Sequence, residues 1–265
     1  MGRVIAIANQ KGGVGKTTTS VNLTASLAAA EKKTLLIDGD PQGNATSGVG
    51  IELSPGEPSL YEVLIGGAPI RDARRQGVQF SDLDVIPAAA DLAAAEIELV
   101  ERDEREFAMR SALEDIRGEY DYILIDCPPS LGLITVNMLA AADALMIPLQ
   151  CEYYALEGLS QLLNTVHRIQ HSINEKLTID GVLLTMYDAR LNLSRQVADD
   201  AREYFGNGVF TTLIPRNVRL AEAPGFGKPI ILYDVNSAGA QAYMAVAAEL
   251  IERTEAGPRS NDNGE

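Results

Sequence analysis

Residues 11–18 read Lys-Gly-Gly-Val-Gly-Lys-Thr-Thr, a combination suited to holding phosphate. Gly12, Gly13 and Gly15 permit a tight turn in which the backbone N–H groups around Val14 converge on phosphate oxygens. A helix opening at the end of the run adds partial positive charge, Lys16 adds a full one, and the Thr17 hydroxyl, followed by Thr18, is suited to ligating magnesium. The usual pattern G-x-x-x-x-G-K-[ST] requires a glycine at position 10, where this chain has Gln10. What stands instead is a second lysine, Lys11, at the loop entrance.

Two further stretches supply carboxylates. In LLIDGDPQGNAT, Asp38 closes an apolar run and Asp40 lies just beyond it, at the edge where open α/β sheets bind ligands. One of Asp38 and Asp40 can order a magnesium-bound water and the other can orient water for in-line attack on a γ-phosphorus. In ILIDCPPS, Asp126 ends another apolar run, the placement of a carboxylate that holds magnesium directly or through water. No N-K-x-D or T-K-x-D run is present, so adenine is expected over guanine.

These residues need a scaffold of strands whose ends lie side by side. Apolar runs at 3–9, 34–38, 83–88, 120–126, 143–149 and 179–187 are separated mostly by helical segments, the pattern of a buried, mostly parallel sheet with helices on both faces. After Glu152, apolar residues recur at three- and four-residue steps from Tyr153 through Leu156, Leu159, Leu162, Leu163, Val166 and Ile169, which predicts a helix packed on that sheet. The run 96–106 carries Glu96, Glu98, Glu101, Asp103, Glu104 and Glu106 against Arg102 and Arg105 and reads as a solvated helix face. One α/β domain is expected over 1–254, with a disordered tail at 255–265.

Composition narrows the function classes. The 265 residues hold 22 basic and 37 acidic side chains, a net charge of −15, which opposes indiscriminate binding to nucleic acid or anionic membrane. Two cysteines, Cys127 and Cys151, make no disulfide framework, and the N-terminal stretch has no signal-peptide pattern, so a cytoplasmic setting is expected.

The run KGGVGKT with its entrance lysine resembles the deviant Walker A loop of the ParA/MinD family of P-loop ATPases. In that family the entrance lysine crosses to the nucleotide of the partner subunit, which implies an ATP sandwich dimer. The resemblance makes Lys11, Lys16 and Asp40 the catalytic set with ATP and Mg2+ as cofactors, with Asp40 of the D-P-Q-G-N run positioning the attacking water and Asp38 left as partner of the magnesium-bound water, and it assigns Pro215 and Asn217 of the run Pro215-Arg216-Asn217 to the adenine pocket. QCEYYALEGLSQLL at 150–163, LTMYDAR at 184–190, IPRNVRLAEAPGFGKPI at 214–230 and LYD at 232–234 are similar to the ParA (Soj-type) chromosome-partitioning subfamily in its short form. That likeness implies a bacterial, nucleoid-associated switch: the ATP dimer binds double-stranded DNA without sequence preference, and a ParB-type centromere-binding protein stimulates hydrolysis and release. Arg190 and Arg219 match the arginines that this subfamily uses for DNA. Position 226 is Phe where relatives often carry His.

Any DNA contact needs a local basic patch, and Arg190, Arg195, Arg202, Arg216, Arg219 and Lys228 fall in the later part of the chain. The alternative is a MinD-like or other cargo-positioning ATPase on a membrane or protein scaffold. A basic amphipathic C-terminal helix would favour the membrane form; here that segment carries Glu249, Glu252 and Glu255 against Arg253. An iron–sulfur reductase is disfavoured by the position of Cys127 between Asp126 and two prolines. His167 and His171 read as ordinary helix residues.

Overall fold

The computed structural model describes residues 2–152 and 155–256, with backbone alone at 155–158. Six strands form the sheet: β1 (Arg3–Ile7), β2 (Thr34–Asp38), β3 (Leu83–Ile86), β4 (Tyr122–Asp126), β5 (Ala144–Gln150) and β6 (Thr178–Thr185). Their order is β3-β2-β4-β1-β5-β6, and every pairing is parallel. All six lie within or within one residue of the apolar runs picked out above, because strands covered on both faces have no polar face to display and so read as unbroken apolar stretches.

The helices are α1 (Lys16–Ala29), α2 (Asn44–Gly48), α3 (Leu60–Leu64), α4 (Ile70–Ala73), α5 (Leu92–Glu98), α6 (Ala108–Glu114), α7 (Leu133–Ala141), α8 (Ala155–Ser172), α9 (Asn192–Phe205), α10 (Val218–Glu222), α11 (Ile230–Tyr233) and α12 (Ala238–Glu255). One sheet face packs Val4, Ala6, Leu35, Ile123 and Ile125 with residues of α3 and α5 to α9. On the other, Ile5, Ile7, Leu124 and Met146 meet Leu23 and Leu27 of α1 and Tyr243, Val246 and Leu250 of α12. Each fully buried Leu, Ile or Val side chain contributes roughly 1.5–3 kcal/mol, so the sheet is held from both sides.

β1 pairs with β5 only through Ile5–Ile7 against Ala144–Met146. Beyond that point β1 has left the sheet, so Pro148 of β5 removes no ladder hydrogen bond on that side. Its carbonyl accepts the Asn9 side-chain amide instead (2.8 Å), and the chain leaving β1 is steered into the glycine loop.

The acidic run departs from the expected helix face. α5 stops at Glu98, a 3-10 turn covers Leu99–Glu101, and Glu104 takes φ +53° before α6 begins. Arg102 turns back to the carbonyls of Leu64 and Ile65, and Arg105 to that of Val100; these contacts stabilise the turn. Glu98 accepts from the Tyr61 hydroxyl (2.9 Å), and Glu96 points back toward α7.

Leu159, Leu162, Val166 and Ile169 of α8 are buried in the core; Tyr153 and the Leu156 side chain lie outside the described residues. So do 257–265 of the expected tail, while residues 255 and 256 close α12. Among the described residues no helix is long and apolar enough to cross a membrane. The apolar face of α12 is packed on the core. Its Glu249 accepts from the N–H groups of Thr211 and Thr212 and pairs with Arg253. Cys127 and Cys151 are free and buried; burial raises both thiols, Cys151 to about 11.

Candidate nucleotide site

The loop between β1 and α1 is shaped by two left-handed residues, Gly13 (φ +74°) and Gly15 (φ +91°). A side chain at Gly15 would meet only Thr185, at 3.7 Å, so glycine is needed there for the backbone conformation rather than for space. The loop is braced from outside: the Thr185 hydroxyl, at the end of β6, donates to the Val14 carbonyl (2.8 Å), and Asn9 Oδ1 accepts from Lys11 N (3.0 Å). Neither Asn9 nor Thr185 was legible beforehand. Asn9 borders the loop but fits no phosphate motif, and Thr185 is 171 residues distant from its partner.

Lys16 is buried, and its ammonium donates to the Lys11 carbonyl (3.2 Å). Desolvation lowers its pKa, opposed by the nearby charge of Asp126. A cavity of about 410 Å³ opens in front of it, lined by Gly12, Gly13, Gly15, Lys16, Thr17 and Thr18, by Asp40 and the α2 residues Asn44, Ser47 and Gly48, and by Pro129, Met186, Ala223, Pro224 and Lys228. That volume is within the usual range for small-molecule sites.

Parallel register sets Asp38 of β2 directly beside Asp126 of β4, so two carboxylates meet in a fully buried place. Asp38 is saturated from within: one oxygen accepts from both the N–H and the hydroxyl of Thr46 (2.7 Å each), the other from Asp40 N (3.2 Å). Burial raises its pKa against those hydrogen bonds. The result is a buckle that holds the Asp40 turn and the start of α2 together. Asp40 Oδ1 accepts from Gln42 N (2.9 Å).

Asp126 differs. Ser20 of α1 donates to Oδ1 (2.8 Å), whereas Oδ2 is buried with no hydrogen-bond partner. Burial, then the Asp38 charge, pushes its carboxyl up to about 7, against the Thr17 and Ser20 hydroxyls and Lys16. An orphaned buried carboxylate oxygen costs roughly 1–3 kcal/mol or more, and a hard cation beside the Thr17 hydroxyl would relieve it. The donor set therefore fits magnesium.

The remaining candidates stand apart. Lys11 is not among the residues lining the cavity, and its ammonium pairs with Glu152 (3.8 Å); Glu152 also accepts from Gln150 (2.5 Å) and Arg216 (3.4 Å). Pro215 and Asn217 do not line the cavity: Pro215 bridges to Tyr187, and Asn217 caps α10 by accepting from Arg219 N (2.9 Å). Arg190, 88% exposed at its side chain, pairs with Asp188 through two hydrogen bonds (2.9 and 2.6 Å), which hold the Asp188 carboxyl down at about 2. Arg219 pairs with Glu222 (2.8 Å) and Asp234 (3.6 Å). Arg195 bonds Asn192 and Arg202 pairs with Asp199 on α9.

A family model described as an AAA domain matches residues 2–179. The Soj sporulation initiation inhibitor of Bacillus subtilis is 58% identical over 94% of this chain and 98% of its own. The chromosome partitioning protein ParA of Myxococcus xanthus is 55% identical over 96% and 89%. Among solved structures, a cobyrinic acid a,c-diamide synthase of Mycobacterium smegmatis with bound ADP and magnesium superposes with a TM-score of 0.85, at 37% identity and 97% coverage of both chains. With identity of this degree over nearly the whole chain, the chain belongs to the ParA/Soj family of chromosome-partitioning ATPases.

Proposed function

We propose that this ATPase acts as a DNA-segregation switch: it binds ATP with magnesium, pairs as a sandwich dimer, holds double-stranded DNA without sequence preference, and lets go when a ParB-type partner stimulates hydrolysis. The observation that carries this reading is the convergence on one cavity of the glycine loop, Lys16, Thr17 and Asp40, with the orphaned Asp126 oxygen behind it.

In this reading the loop N–H groups and Lys16 hold the phosphates, and Thr17 and Asp126 hold magnesium, which neutralises charge on the phosphate oxygens when bound. Asp40, fixed through the Asp38–Thr46 buckle, orients water for in-line attack on the γ-phosphorus. Lys11 has only a weak, half-exposed ion pair to leave, which suits a residue that reaches a second subunit. Arg190 and Arg219 contact DNA, and a dimer presents both pairs at once. Pro215 and Asn217 serve the adenine side, as the family resemblance implies. The domain comprises 1–254.

Retention of the Asp40→Ala protein on duplex DNA of arbitrary sequence, with ATP, ADP or neither across a salt series, tests the proposal. Retention with ATP alone, weakening steeply with salt, is expected. A protein that remains monomeric with ATP refutes the role of Asp40. Dimerisation without retention on DNA under any condition moves the reading to a membrane or protein scaffold.

A further inference from the structure

We propose that Glu96 is a positioning residue for ATP hydrolysis: reaching over from the acidic run, it clamps the first turn of α7 and thereby fixes the far end of the 127–132 loop. This loop leaves Asp126, sends Pro129 to the cavity wall, and enters α7. Its near end is tied to β1 by Cys127 N donating to the Ile7 carbonyl (3.1 Å). Its middle is tied by the Thr135 hydroxyl donating to the Ser130 carbonyl (2.6 Å).

The far end has no anchor of its own. The residue capping α7 is Gly132, which has no side chain to satisfy the first amides. Glu96 does so from outside the loop: Leu133 N donates to Oε2 (2.7 Å) and Ile134 N to Oε1 (3.2 Å). Both carboxylate oxygens are engaged, at a helix end where negative charge is stabilising. Gly132 has φ −79°, open to any residue, yet a Cβ there would lie 2.4 Å from Glu96 Oε1. The missing side chain therefore makes room for the carboxylate.

Glu96 is itself held. Leu92, Ala95 and Leu99 bury the other side of its helix and turn in the core. Asn137 of α7 accepts from Met109 N (3.2 Å) and donates to the Arg105 carbonyl (2.7 Å), fastening the rest of the run to the same helix. The residue that reads as one more solvated acid thus connects a core-packed helix to the loop that carries Pro129 of the cavity wall. Without the clamp the loop keeps its near anchor but gains freedom at Pro129, and geometric slack of this kind lowers turnover more than binding.

The test is steady-state ATP hydrolysis by the full-length chain with Glu96→Ala, Glu96→Gln and Gly132→Ala, together with amide hydrogen exchange over 127–136. Glu96→Ala is expected to lower kcat by about tenfold with KM nearly unchanged and to speed exchange at Leu133 and Ile134. Glu96→Gln, which keeps one acceptor oxygen, falls between. Gly132→Ala, which leaves the carboxylate but occupies its seat, reproduces Glu96→Ala, and the double variant is no worse than either. If Glu96→Ala does not fold, Glu96→Gln and Gly132→Ala carry the test. A lowered melting temperature with kcat unchanged, a rise in KM alone, or unaltered exchange at 133–134 overturns the proposal. The turnover readout rests on the proposed ATPase dimer, whereas exchange at Leu133 and Ile134 is read without nucleotide, DNA or partner, so failure of the clamp and failure of that reading are distinguishable.

Discussion

The nucleotide pocket and the arginine surface handle charge in opposite ways. In the pocket Lys16, Asp38 and Asp126 are buried, and their charges are felt by one another. On the surface Arg190 is exposed and Arg219 half-exposed, and each is already matched by a carboxylate within four residues, Asp188 and Glu222. Charge at low dielectric acts strongly on its neighbours, whereas exposed pairs contribute little and exchange partners readily. A pocket built the first way holds a fixed ligand; a surface built the second way can trade its own carboxylates for phosphates.

That contrast can be broken at several points. Lys16→Ala has the largest expected effect: with the buried cation gone, affinity for a fluorescent ATP analogue falls by about 100-fold or more, measured by equilibrium titration. Unchanged affinity would mean that the loop amides suffice alone. Asp126→Asn separates stability from function. It removes a carboxylate that is fully buried beside Asp38 and has one oxygen without a hydrogen bond, so the nucleotide-free protein melts at a higher temperature than wild type while magnesium-dependent tightening of nucleotide binding is lost; calorimetry with and without Mg-ATP reads both.

On the surface, Arg219→Glu leaves ATP-driven dimerisation intact but weakens retention on duplex DNA by about tenfold at low salt and flattens the salt slope, measured by fluorescence anisotropy. Undiminished retention removes Arg219 from the DNA surface. The smallest effect is in the opposite direction. Glu222→Gln and Asp188→Asn free the two arginines from their own carboxylates, so retention strengthens by about two- to fivefold, most at low salt. Weaker retention would mean that these carboxylates hold the arginines in their working orientation.

The legible part of the site was local in the chain. Gly12 to Thr18 announced themselves because a phosphate loop needs consecutive backbone amides and one lysine, all within eight residues. Asp38, Asp40 and Asp126 were legible because a buried strand is an unbroken apolar run, and an acid at its end is conspicuous. The residues that went unseen act across distance: Thr185 under Val14, Thr46 on Asp38, Glu152 on Lys11, and Glu96 on the amides of α7. Each is an ordinary polar residue whose partner is set only when strands and helices come together. Glu96 was misread because composition reports that a run is acidic, not which member turns inward.

Sequence alone determined the parallel sheet, the glycine loop and the aspartates at strand ends, since periodicity, backbone freedom and charge are written residue by residue. Tertiary structure decided which of two adjacent carboxylates is saturated and which is left with an open oxygen, which lysine is buried and which is held by an exposed ion pair, and which arginines are already paired. Those differences follow from burial and from contacts between distant segments, and neither exists until the chain has folded.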